Sequence, residues 1–296
     1  MLGEMLRAKK EEGTSMSSQK DNKYRLYCST GTIISKYNGF DYTLMNTVLT
    51  PIVRELSLDG CEFMMLTVFY EKFDEIVSYM EKVGMTFPVL HSDKEIGVLL
   101  GTGKEEDDRE ALRRFDANCA FARRLSADRI VIHLWGGLVS DKNSSHNISM
   151  IPAICDIAEK HGITPLIENI PCAAADPISH WEEINALDSR ARFIYDTRFG
   201  EFHRQNPDIP RHPFFKSGLV EHMHISDFLG EKGDFTRLRP ILHPGEGQID
   251  FHRIFSDIKE NGYRGSITLE SPVVFEDGSL DTDKLRRTLS FIKENV

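Results

Sequence analysis

From residue 24 onward the chain alternates short apolar runs with longer stretches of mixed polarity. The apolar runs read as strands at Arg25–Ser29, Cys61–Leu66, Thr86–Leu90, Arg129–His133, Thr164–Glu168, Arg192–Tyr195, Val220–Ile225 and Ser266–Glu270. Between them the period lengthens to that of a helix. Leu112, Phe115, Cys119 and Ala122 recur every three or four residues, and Phe251, Ile254, Phe255 and Ile258 do so behind Asp250, a fitting N-cap. Leu285, Leu289 and Ile292 stripe the last segment. Eight strands, each followed by a helical stretch or a loop where one fits, predict an α/β fold, a single (β/α)8 TIM barrel. The competing arrangement is a doubly wound open sheet, but no G-x-G-x-x-G follows the first strand.

No Pro/Gly/Ser-rich linker divides the chain. Residues 24–296 therefore read as one domain, preceded by a charged, poorly ordered head at residues 1–23. Long connections follow the fifth, sixth and seventh strands at Pro171–His180, Thr197–Phe215 and Ser226–Gly247. Those are the strand ends where barrel enzymes carry their active-site loops.

The residues that close the strands carry the chemistry. The third strand runs into His91, the fourth into His133, the fifth into Glu168, the sixth into Asp196, the seventh into His224 and the eighth into Glu270. The period of two places Val89, Val131, Leu166, Ile194, His222 and Thr268 on the same inward face, one layer lower. Taken singly, each polar residue has a plain structural explanation: Asp196 can cap the next helix, and His91 can be a hydrogen-bonded rim histidine. Taken together, Glu168, Asp196, His224 and Glu270 gather too much negative charge in one concavity to stand alone. A divalent cation is the natural compensation.

Composition narrows the partners. Thirty-six basic against 46 acidic residues give a net charge of −10, which weighs against a nucleic-acid backbone as partner. No apolar run approaches the ~20 residues of a membrane span. The opening residues lack a signal-peptide apolar stretch, and the five cysteines include no C-x-x-C pair. The expectation is a cytoplasmic protein acting on a small molecule, with no nucleic-acid or membrane partner and with homo-oligomerisation open.

Leu166-Ile167-Glu168-Asn169, Tyr195-Asp196-Thr197, His222-Met223-His224-Ile225-Ser226-Asp227, His243-Pro244-Gly245-Glu246-Gly247 with Ile249-Asp250-Phe251, and Thr268-Leu269-Glu270 follow one another in this order. Together they resemble the xylose isomerase-like TIM-barrel superfamily, which includes sugar isomerases and epimerases, inosose dehydratases and the endonuclease IV class. The resemblance implies one divalent ion, Mn2+ ahead of Mg2+, Co2+ or Zn2+, held by Glu168, Asp196, His224 and Glu270. It also implies that His133 contacts substrate. Two departures stand out. Many relatives carry a His three residues after the strand-six Asp, where this chain has Phe199, with His203 the next candidate. The Asp-x-His pair of endonuclease IV is matched only by Asp234-Phe235-Thr236.

Such an ion binds a sugar carbonyl and the neighbouring hydroxyl and acidifies the adjacent proton. Glu168 and Glu270, from different sides of the barrel mouth, would then move that proton, giving isomerisation or epimerisation through a metal-bound enediolate. His91, His133 and Asn169 are assigned to substrate hydroxyls, and Trp135 either to an apolar sugar face or to packing beneath the strand-four loop. Arg237 or Arg239 is available for an acidic group, and His243 and Glu246 for ordering their loop. The alternatives are endonuclease IV-like hydrolysis of abasic DNA and a non-catalytic barrel retaining the metal site.

Overall fold

The computed structural model describes residues 24–137 and 139–296; the head expected at residues 1–23 lies outside the described residues. Eight parallel strands close into a barrel in chain order. They are β1 (Arg25–Ser29), β2 (Gly60–Met64), β3 (Val89–His91), β4 (Arg129–Ile132), β5 (Thr164–Glu168), β6 (Arg192–Asp196), β7 (Val220–Ile225) and β8 (Ser266–Leu269). Closure runs through β8 pairing with β1, from Arg25 opposite Ser266 to Cys28 opposite Leu269. The single-barrel expectation holds, and β1, β5 and β7 have the bounds read from the sequence. The largest shift is in β3, which starts at Val89 rather than Thr86. Pro88 intervenes, and a residue with no N–H cannot donate to a central ladder.

Alternation along the strands builds two cores. Tyr27, Val89, Val131, Leu166 and Ile194 form a buried cluster of their own inside the barrel. Their neighbours Ile130, Ile167, Phe193, Met223, Ile267 and Leu269 point outward and join the large core between sheet and helices. The helix Phe251–Glu260 buries Phe251, Ile254, Phe255 and Ile258, and Asp250 caps it by accepting the Arg253 N–H at 3.0 Å. The helix Thr282–Asn295 buries Leu285, Leu289 and Ile292. Each such side chain contributes roughly 1.5–3 kcal/mol by leaving water.

Two contacts and one glycine shape the carboxyl-end loops. Asp141, fully buried, accepts N–H groups from Ala173 (2.6 Å), Ala174 (2.7 Å) and Ala175 (2.9 Å), so the loop after β4 fastens the loop after β5. Asp227 accepts from Gly245, Gly247 and Ile249 and folds the turn before β8 in the same way. Gly97, in the short helix Glu95–Leu100, lies against the backbone that follows β4. A Cβ there would stand 2.5 Å from the His133 carbonyl oxygen and 2.7 Å from that of Trp135. Only glycine permits that approach, and it fixes where His133 begins its loop. Among the described residues no helix is long and apolar enough to cross a membrane.

Candidate functional site

One step above the apolar barrel layer, the inward positions turn polar. Glu168 ends β5, Asp196 ends β6, His224 lies near the end of β7, and Glu270 follows β8 directly. All four are buried, and each offers one ligand atom within 4.8 Å of the others. His224 Nδ1 stands 2.8 Å from Glu168 Oε1 and 3.6 Å from Glu270 Oε1. Asp196 divides its carboxylate. Oδ1 accepts the Phe199 N–H at 2.8 Å and caps the helix Thr197–Phe202, while Oδ2 is buried without a hydrogen-bond partner. The capping role of Asp196 uses one oxygen and leaves the other open to a ligand.

Two histidines expected to touch substrate stand beside this set. His91 Nδ1 faces the Ser92 carbonyl oxygen at 2.9 Å and so carries the ring proton, leaving a lone pair on Nε2 in the neutral ring. That Nε2 lies 3.6 Å from Glu168 Oε2. His133 Nε2 lies 2.6 Å from the same oxygen, and all three atoms lack a hydrogen-bonded partner. His91, His133 and Glu168 therefore form a second candidate metal group that shares Glu168 with the first. His91 and His133 thus stand where either a substrate contact or a second ligand group is open to them.

Sequence reasoning missed Glu62. It is fully buried on β2, and its Oε2 lies 2.8 Å from His222 Nε2 and 3.1 Å from His224 Nε2. A carboxylate behind a ligating imidazole holds the proton on the far nitrogen and turns the near one toward a metal. The available signal was a lone charge inside the strand Gly60–Met64, which otherwise packs apolar residues. His222, also bonded to Ser266 Oγ at 2.6 Å, completes this lower tier.

The electrostatics show a site short of positive charge. Burial alone would raise the Glu168 carboxyl, but His224 and His133 outweigh it and hold Glu168 well below the usual carboxylate range. Glu62 is held down likewise by His224 and His222 against its burial. His224 is desolvated, yet Glu270, Glu62 and Glu168 push its imidazole well above the ordinary value. Burial, reinforced by Glu168 and Glu270 and opposed by Arg198, lifts Asp196 to about 7. Burial pulls His133 down to about 4 despite Glu168, so its ring is neutral near pH 7. The His224 proton is the main local counter-charge, and a divalent ion can take its place.

The remaining candidate residues hold the frame around the site. Asn169 accepts the Asp196 N–H at 2.6 Å and donates to the Asp196 carbonyl at 3.1 Å. It is fully buried, and these two bonds position Asp196. Trp135 is buried beneath the loop after β5, donates to the Pro171 carbonyl at 3.3 Å and packs edge-on against His180, which matches its packing alternative. His203 accepts the Cys172 N–H at 2.9 Å as a buried loop tie. His243 is buried between Thr288 and the Pro272 carbonyl, and Glu246 pairs with Lys284, so both order the turn as read from the sequence. Asp141, Cys172 and His180 form a further buried group, but Asp141 is already taken by five donors.

Beside Glu270 a cleft of about 430 Å3 opens between the loops that follow β1, β2, β3, β7 and β8. Carboxylates and imidazoles thus gather beside this cleft at the carboxyl mouth of a closed parallel barrel. The chain belongs to the family of xylose isomerase-like TIM barrels, whose model matches residues 51–294. It is 27% identical over 190 residues to the uncharacterized protein MJ1311 of Methanocaldococcus jannaschii, a match that spans 59% of this chain and 61% of that relative's length. Among solved structures it is similar to 3-keto-D-glucoside 4-epimerase YcjR from E. coli, with TM-score 0.69 and 13% identity over 92% of this chain and 99% of that one. D-allulose 3-epimerase from Methylomonas sp. gives TM-score 0.66 and 14% identity over 92% and 98%. The IOLI protein with a bound zinc atom gives 0.64 and 14% over 92% and 99%. At these identities the likeness concerns the fold.

Proposed function

We propose that the protein is a divalent-metal-dependent isomerase or epimerase of a sugar or sugar derivative. The observation that carries this is the buried set Glu168, Asp196, His224 and Glu270, with Asp196 Oδ2 and Glu270 Oε1 both without a hydrogen-bond partner. Orphaned carboxylate oxygens at ligand spacing fit a hard cation, with Mn2+ the first candidate ahead of Mg2+, Co2+ or Zn2+. The similarity in fold to the two sugar epimerases named above supports the substrate class. When bound, such an ion would polarise a carbonyl and acidify the neighbouring C–H.

The chain's own residues do the rest. Glu168 and Glu270 enter the mouth from β5 and β8. One carboxylate takes the proton beside the carbonyl, and the other returns a proton to the opposite face or to the adjacent carbon. Neutral His133, half-buried at the rim, is suited to a substrate hydroxyl. Glu62 and Asn169 hold His224 and Asp196 in place.

A second reading, hydrolysis of a phosphodiester in abasic DNA by two or more ions, is favoured by the His91, His133 and Glu168 group. One experiment separates them. Metal-loaded protein is incubated in deuterated water with ketoses and aldoses, and in parallel with abasic DNA. Deuterium at a carbon next to the carbonyl is the expected result. DNA cleavage without deuterium uptake would replace this reading with the second.

A further inference from the structure

The cleft beside Glu270 carries cations that the metal set does not use. Lys36, Lys94 and Arg239 all line it. Of the acidic residues on the same wall, Asp93 is already paired with Arg114 at 3.0 Å and bonded by Tyr70 and Thr67, Glu270 belongs to the metal set, and Glu95 is exposed on the rim. Among the described residues no carboxylate lies within 4.0 Å of Lys36, Lys94 or Arg239. Lys36 leans over the Tyr37 ring instead. Arg237, the other arginine singled out in the sequence, is exposed and packs its stem on Gly230, outside the cleft.

Arg198 sits behind Arg239. It is 5% exposed, donates from Nη1 to the Leu238 carbonyl at 3.0 Å and lies 4.2 Å from the centre of the Phe199 ring. Its Nε is buried without a partner, and it has no carboxylate within ion-pair distance among the described residues. A buried guanidinium in that state is costly. The carbonyl it holds precedes Arg239 directly, so Arg198 braces the segment that hangs Arg239 over the mouth. Balancing Asp196 explains part of its charge but leaves Arg239 and Lys94 unanswered.

We propose that the cleft takes a sugar bearing an anionic group, a phosphate ester or a carboxylate, seated on Arg239 and Lys94, with Arg198 as the fixed positive charge behind them. The sugar half rests on the isomerase reading; the anionic half rests on the cleft alone.

The test is calorimetric binding to Mn2+-loaded protein of D-fructose, D-fructose 6-phosphate and D-glucuronate, alongside Arg239→Met and Lys94→Met. Both side chains keep contact with solvent, so the variants retain the fold. At least one anionic probe should bind about tenfold or more tightly than the neutral ketose, the scale of one charge-assisted hydrogen bond. Which anion wins distinguishes ester from carboxylate. That ratio should approach one in either variant and should shrink as salt is raised. No preference for either anion, or a preference that survives both substitutions, overturns the proposal. Preference without solvent deuterium uptake sustains the proposal and removes the isomerase reading, so the two fail separately.

Discussion

Replacing Glu62 by Gln keeps the size of a fully buried side chain and removes only its charge. Glu62 Oε2 accepts from His222 Nε2 at 2.8 Å and from His224 Nε2 at 3.1 Å. While it is charged, the His224 proton stays on Nε2, and Nδ1, 2.8 Å from Glu168, is the nitrogen that can face a metal. Glutamine accepts more weakly through the oxygen that faces the two imidazoles, and its amide nitrogen replaces Oε1, which is buried without a hydrogen-bond partner. Loss of such a supporting partner typically lowers metal affinity about 10- to 100-fold, or about 1.4–2.7 kcal/mol. At a Mn2+ concentration 100 times the wild-type Kd, binding stabilises the fold by about 2.7 kcal/mol. In Glu62→Gln the same concentration should give only about 0.4–1.4 kcal/mol. Mn2+ titration by calorimetry gives the affinity, and denaturant unfolding with and without Mn2+ gives the increment. A variant that binds Mn2+ within twofold of wild type would refute the supporting role of Glu62.

Two further outcomes follow from the loops. Gly97→Ala should cost about 1–3 kcal/mol in denaturant unfolding, because the new methyl meets backbone oxygens that have little room to yield; unchanged stability would contradict the close approach. Burial would raise the Asp141 carboxyl, but the N–H groups of Ala173–Ala175 and His180 hold it at about 2. Its folded value lies below its unfolded one, so its contribution is complete above about pH 4 and is lost as pH falls toward 2. Asp141→Asn should therefore destabilise the protein near neutral pH by about 1–3 kcal/mol and flatten the acid limb of the stability curve; an acid limb identical to wild type would exclude this.

The barrel was legible in the sequence because two periods repeat eight times, and because a strand end is marked wherever an apolar run meets a His, Asp or Glu. The inner layer of Val89, Val131, Leu166 and Ile194 followed from alternation alone. What stayed hidden were contacts across strands distant in sequence. Glu62 and His224 come from opposite halves of the chain, and only closure of the barrel brings them together. The partners of Asn169 and Trp135 stayed hidden for a related reason. A polar side chain just past a strand end can turn to solvent or to the neighbouring strand, and the sequence does not record which backbone groups await a partner. Asn169 turned to Asp196, and Trp135 to the Pro171 carbonyl.

The most direct test compares Glu168→Gln, Glu270→Gln and Asp196→Asn at saturating Mn2+, with solvent deuterium uptake by the substrate as the readout. Each change removes a ligand charge, so all three should bind the ion more weakly. Once excess Mn2+ refills the site, Asp196→Asn should recover most of its exchange rate, because Asp196 is proposed only to hold the ion. Each glutamine variant should remain about 10²–10⁴-fold slower, because a positioned proton-transfer group is gone. Recovery of both glutamine variants to the level of Asp196→Asn would show that the two glutamates are ligands only.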